Sequence, residues 1–95
     1  MAVVLLRFAR PVRDGGAAYR AQACGTAMSD GRWMAWIEFL PPKGGPTLRS
    51  PRETTQPNRL DAEYWATGLT PVYLEGALRR AQDPTPGPEP PATPA

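Results

Sequence analysis

The residues of this chain best equipped for chemistry are Arg52-Glu53-Thr54-Thr55-Gln56-Pro57-Asn58-Arg59, followed closely by Tyr64-Trp65. Threonine hydroxyls, free N–H groups at a helix start and the guanidinium groups of Arg52 and Arg59 are the donors that hold a phosphate or a carboxylate. The plainer reading of the same run is a capped helix start with a surface ion pair from Glu53 to Arg52 or Arg59. No Gly-rich cradle precedes the run and no Lys follows it, which separates it from a P-loop.

The aromatic residues Trp33, Trp36, Tyr64, Trp65 and Tyr73 are the second candidate set. On a sheet surface beside arginines they can stack on bases, as in single-strand binders. The ordinary alternative is that they fill the core. The chain has neither the RNP pattern of an RRM nor the GXXG loop of a KH domain. Arg7, Arg10, Arg13 and Arg20 could gather across one hairpin as a basic patch, or form a solvated face. Glu53, Asp61, Glu63 and Glu75 supply carboxylates, but Asp61 and Glu63 are two apart on a helix and point different ways. Nothing orders these acids around a reaction.

The chain has no His and a single Cys, Cys24. That excludes a Cys/His zinc site, a Ser-His-Asp triad and a Cys-His pair within one chain. We therefore expect no catalytic residue, no cofactor and no metal. Cys24 has no intramolecular disulfide partner, which fits a reducing cytoplasm. It falls in a predicted strand, where a buried inert thiol is expected.

All eleven basic residues and seven of the nine acids precede Asp83, so the body carries a surplus of four positive charges. Ten of the eleven bases are Arg, the better residue for bidentate contacts with phosphate or carboxylate. A genome rich in GC explains an Ala-, Arg- and Pro-rich chain equally well. Met1–Leu6 is apolar but short and lacks a basic flank, so it does not read as a signal peptide. No apolar run approaches the roughly 20 residues of a membrane span.

These residues must be positioned by a small set of elements. Ala2–Val12 predicts a strand, and Asp14-Gly15-Gly16 a hairpin turn. Ala17–Met28 predicts a second strand and Asp30-Gly31 a second turn. Arg32–Leu40, rich in aromatic and β-branched residues, predicts the third strand, stopped by Pro41 and Pro42. Pro46–Ser50 predicts a short fourth. A helix should start near Pro57 with Thr55 or Gln56 as its cap, bury Leu60, Tyr64 and Trp65, and end at Gly68 in the left-handed conformation. Thr70-Pro71 restarts a helix, with Leu74, Ala77, Leu78 and Ala81 on its inner stripe.

If both Asp-Gly turns are two-residue loops, register follows by arithmetic. Cys24 then pairs with Ile37, Thr26 with Ala35 and Met28 with Trp33, while the first hairpin brings Leu5 near Cys24 and Phe8 near Ala21. Both faces of such a sheet are largely apolar. One helical hairpin covers only one of them, which predicts a second, sticky face and with it self-association or a protein partner, unless the register differs or the N-terminal strand wraps that face.

Asp30-Gly31-Arg32-Trp33, Trp36-Ile37-Glu38-Phe39, the 52–59 run and Tyr64-Trp65-Ala66-Thr67-Gly68-Leu69-Thr70 together resemble a small family of uncharacterised bacterial proteins. The resemblance covers a little over half of the chain and implies no assigned activity, so it transfers no catalytic residue. The layout of strands followed by helix is also similar to HicB-like and double-stranded-RNA-binding domains, though fold alone does not carry function.

The sequence thus predicts an α+β fold: an antiparallel three- to four-stranded β-meander, then a C-terminal helical hairpin, in one domain over 1–82. A disordered Pro-rich tail follows over 83–95. The expected function is a small non-enzymatic cytoplasmic protein-interaction or regulatory module. Its partner is another protein or a second copy, met by Arg52, Thr54, Thr55, Gln56, Asn58 and Arg59 with Trp36 or Trp65 as aromatic anchor. The alternative is a nucleic-acid-binding protein using Arg and aromatic residues; no membrane is expected.

Overall fold

A computed structural model describes residues 1–83 of the chain. The tail predicted from Asp83 onward lies outside the described residues from position 84. The architecture is α+β: an antiparallel sheet of six strands, then two helices. The strands are β1 (Val3–Arg7), β2 (Val12–Asp14), β3 (Ala17–Ala27), β4 (Trp33–Leu40), β5 (Leu48–Arg49) and β6 (Thr54–Gln56). The helices are α1 (Arg59–Thr67) and α2 (Pro71–Gln82).

The six strands occupy four rows. β1 and β2 share one flank of β3, while β5 and β6 share the far flank of β4. The single long first strand predicted over Ala2–Val12 is therefore broken between Phe8 and Pro11. At Leu5 a bulge shifts the pairing from Val4–Cys24 to Leu6–Ala23, so both Leu5 and Leu6 pack on the core. Phe8 keeps its expected place, its N–H donating to the Ala21 carbonyl at 3.0 Å. β6 was not foreseen; its polar side chains hide the strand signal.

The second hairpin corrects the expected register. Its loop has three residues, Ser29-Asp30-Gly31, closed by a hydrogen bond from Met28 N–H to Arg32 O at 2.7 Å. Gly31 takes a positive φ of 89°, the left-handed position that such a three-residue loop requires. Asp30 fixes the loop by accepting from the Arg32 N–H at 3.0 Å and from its Nε at 2.7 Å. Cys24 consequently faces Trp36, and Ala23 faces Ile37. A one-residue slip exchanges faces. One face now collects Ala21, Ala23, Gly25, Ala35, Ile37 and Phe39; the other collects Gln22, Cys24, Thr26, Met34, Trp36 and Glu38. The expectation of two apolar faces fails for this reason.

Both helices lie on the first face, α1 across β1, β3, β4 and β6, and α2 across β2, β4 and β5. The core between them holds Val12, Ala21, Ala23, Ile37, Phe39, Ala66, Leu74, Ala77 and Leu78. α2 begins as predicted: the Thr70 hydroxyl accepts from Tyr73 N–H at 3.1 Å, with Pro71 in the first turn. α1 begins later than predicted. Thr54–Gln56 are committed to pairing with β4, so Asn58 becomes the cap, its Oδ1 accepting from Asp61 N–H at 2.8 Å. Gly68 ends α1 at φ −91°, not in the left-handed region expected.

Candidate functional site

The structure takes the 52–59 run apart. Arg52 and Glu53 lie in the gap between β5 and β6, where the edge leaves β4 and returns. Thr54 and Gln56 stand opposite Ala35 and Trp33, on the helix side of the sheet, whereas Thr55 stands opposite Met34 on the other side. The two threonine hydroxyls thus point to opposite faces and do not converge on one anion. Gln56 Nε2 donates to Thr54 Oγ1 at 2.8 Å. Arg59 pairs with Glu63 at 3.1 Å and lies 5.7 Å from the centre of the Trp33 ring. Of the predicted contact residues, Asn58 and Arg59 are exposed, Arg52, Thr54, Thr55, Gln56 and Trp65 are half-buried, and Trp36 is buried.

Glu53 does something the sequence did not show. The expected partners were Arg52 or Arg59; the partner is Arg80, twenty-seven positions away. Arg80 Nε and Nη2 donate to the two carboxylate oxygens at 3.0 and 2.7 Å, and the Tyr73 hydroxyl donates to the same group at 2.5 Å. Burial alone would raise the Glu53 carboxyl, but the bonds from Arg80 and Tyr73 outweigh it and hold the group below the usual carboxylate range. The same burial and the Glu53 hydrogen bond push the Tyr73 phenol up to about 12. The clasp ties the broken edge to α2. Its neighbour Ser50 completes the edge: its Oγ accepts from Ile37 N–H at 3.0 Å, a donor that the gap would otherwise leave unpaired.

The second cluster sits on the face without helices. Trp36 is 1% exposed there. Its indole N–H donates to Glu38 at 3.0 Å, and Gln22 donates to the other Glu38 oxygen at 3.1 Å. Arg49 lies over the Trp36 ring with its guanidinium carbon 3.9 Å from the ring centre. Cys24 is buried as expected, and that burial, then the neighbouring Glu38 charge, pushes its thiol up to about 12, which disfavours the reactive thiolate. Burial opposes ionisation of Glu38 too, yet the hydrogen bonds from Trp36, Gln22 and Cys24 keep its carboxyl below the usual range. Trp36 is thus buried, with Arg49 lying over its ring.

Apolar surface is exposed elsewhere. Leu60 and Tyr64, predicted to be buried, are 73% and 79% exposed, and Val72 is 76% exposed. α1 instead buries Ala62 and Ala66. Alanines four apart let a helix approach a sheet closely, and that spacing was the signal available in the sequence. At the junction of the helices an open groove of about 360 Å³ is lined by Phe8, Pro11, Leu69, Pro71 and Leu74, with Arg10 on its wall.

No family model, curated protein or solved structure matches this chain.

Proposed function

We propose that the chain is a small non-enzymatic interaction module that binds a protein partner through the outer face of α1. The observation that carries this reading is the exposure of Leu60 and Tyr64, one turn apart, beside the exposed end of the polar run at Asn58 and Arg59. An amphipathic helix presenting anchors four residues apart is a recurring mode of docking into an apolar groove on a partner. Here the fold does not need these side chains, because Ala62 and Ala66 already seat the helix. Val72 and the groove beside Pro71 add apolar surface on the same side of the sheet. A cytoplasmic setting belongs to this reading, since the lone buried thiol of Cys24 needs no oxidant. No helix among the described residues is long and apolar enough to cross a membrane.

A photo-crosslinking residue placed at Tyr64 should trap one protein partner in host cells. Leu60→Asp should abolish that adduct while changing stability by no more than about 0.5 kcal/mol, as for other exposed positions. An adduct that persists in Leu60→Asp, or labelling spread evenly over abundant proteins, would sink this reading.

A further inference from the structure

The arginines differ in whether a carboxylate holds them. Arg32, Arg59 and Arg80 are each paired with a carboxylate: Asp30, Glu63 and Glu53. Arg7, Arg20 and Arg49 have no such partner within ion-pair distance among the described residues, and all three are exposed. Strand pairing puts them on one surface. Arg7 faces Gln22, Gln22 faces Glu38, and Glu38 faces Arg49, a continuous row across four strands; Arg20 lies two residues along β3 from Gln22. With strands about 4.8 Å apart and about 3.4 Å per residue, the three guanidinium groups outline a flat patch of roughly 14 by 7 Å. Glu38 is the only acid in that row, and it is already held by Trp36 and Gln22.

From this we propose that the open face of the sheet binds single-stranded nucleic acid, with Arg49 as the stacking plane for one base and Arg7 and Arg20 on flanking phosphates. Bases stack on guanidinium planes as well as on aromatic rings. Arg49 is suited to this because Trp36 backs its guanidinium at 3.9 Å while the residue stays exposed. The buried indole is thus a support for the stack and not its outer member. Gln22, Thr26 and Thr55 stand on the same face and offer hydrogen bonds to base edges or sugar. An acidic peptide would satisfy the charges but leave the backed plane without a use, which is why nucleic acid is the better fit. This surface is separate from the outer face of α1, so either proposal can fail alone.

The test is fluorescence anisotropy of a short labelled oligodeoxythymidylate titrated with the full chain. Two phosphate contacts predict a slope of log affinity on log salt of about −1.4, or a roughly sevenfold loss between about 50 and 200 mM salt. Arg7→Gln and Arg20→Gln should each reduce the slope by about 0.7, while Arg79→Gln, an equal loss of charge on α2, should leave it unchanged. Arg49→Lys keeps the charge and loses the plane; it should weaken binding about tenfold with the slope retained. Circular dichroism of each variant checks that it is folded. The proposal is overturned by any of three results: no binding at low salt, an equal affinity for duplex DNA of the same length, or wild-type affinity in Arg49→Lys. Equal competition by polyglutamate would overturn it in favour of an acidic protein partner.

Discussion

The molecule contains two clusters built from the same three kinds of group, a carboxylate, an aromatic ring and an arginine, and wired in different ways. In Glu53–Tyr73–Arg80 the arginine grips the carboxylate with two hydrogen bonds, and the ring donates to the same group. In Glu38–Trp36–Arg49 the carboxylate is taken by the indole N–H and by Gln22, and the arginine is left lying on the ring. The first arrangement consumes its cation and joins a helix to the sheet edge. The second satisfies its anion by neutral donors and leaves a cation in place for something else. What an arginine is available to do depends less on its neighbours than on which of them already holds the carboxylate.

The largest test of that contrast is Trp36→Ala. Although Trp36 lies on the face without helices, it is buried, and its loss should cost about 3 kcal/mol or more in chemical denaturation. A cost below about 1 kcal/mol would mean that the open-face cluster has no packed interior.

Next comes Glu53→Gln, which should cost about 2 kcal/mol at neutral pH, moderated by the exposure of Arg80. Glu38→Gln should cost less, because its carboxylate makes no direct bond to a guanidinium. The acid limb should show the same order. A carboxylate held below its ordinary value of 4.5 stabilises the fold above that pH, and the contribution is lost as pH falls through the lowered value. Replacing Glu53 should flatten the acid limb more than replacing Glu38. Equal flattening would merge the two clusters into one kind.

The smallest effect is on the alkaline limb. Cys24 and Tyr73 are both raised to about 12 from ordinary values of 9.0 and 10.0. Each favours the folded state below its ordinary value, and that contribution is lost as pH rises toward the folded one. Stability should begin to fall near pH 9 in the wild type and nearer 10 in Cys24→Ala. An unchanged onset would show that the thiol is not held by the open-face cluster.

Much of the scaffold was legible from local chemistry. The strands β3 and β4, a turn within Asp14-Gly15-Gly16, the Thr70-Pro71 restart and the inner stripe of α2 at Leu74, Ala77 and Leu78 all follow from residue types and spacing, although the two-residue loop is Gly15-Gly16 and not Asp14-Gly15. The faces were not legible, because they hung on whether the Asp30-Gly31 turn has two residues or three, a choice made by one glycine dihedral. The inner side of α1 was misread for another reason: hydrophobicity favours Leu60 and Tyr64, while the close approach to the sheet favours Ala62 and Ala66. The clasp at Glu53 depends on a helix that starts nearly twenty residues later, beyond any local pattern. For the candidate site, the sequence pointed to the right neighbourhood at Asn58 and Arg59 and to Trp36, but it could not show that Arg49 covers that ring.

Both flanks of the sheet are interrupted, by the bulge at Leu5 and the break after Phe8 on one side and by the gap at Arg52 and Glu53 on the other. The longest edge strand has five residues, although the apolar β3 between the flanks has eleven. A long, straight, alanine-rich strand is the sort of segment that recruits copies of itself into fibrils when it meets solvent edge-on. Here β3 and its regular neighbour β4 are fenced on their outer sides by short, interrupted strands that offer little for another chain to extend. The irregularities that make these edges hard to predict thus also leave a second molecule's strand little edge to pair with.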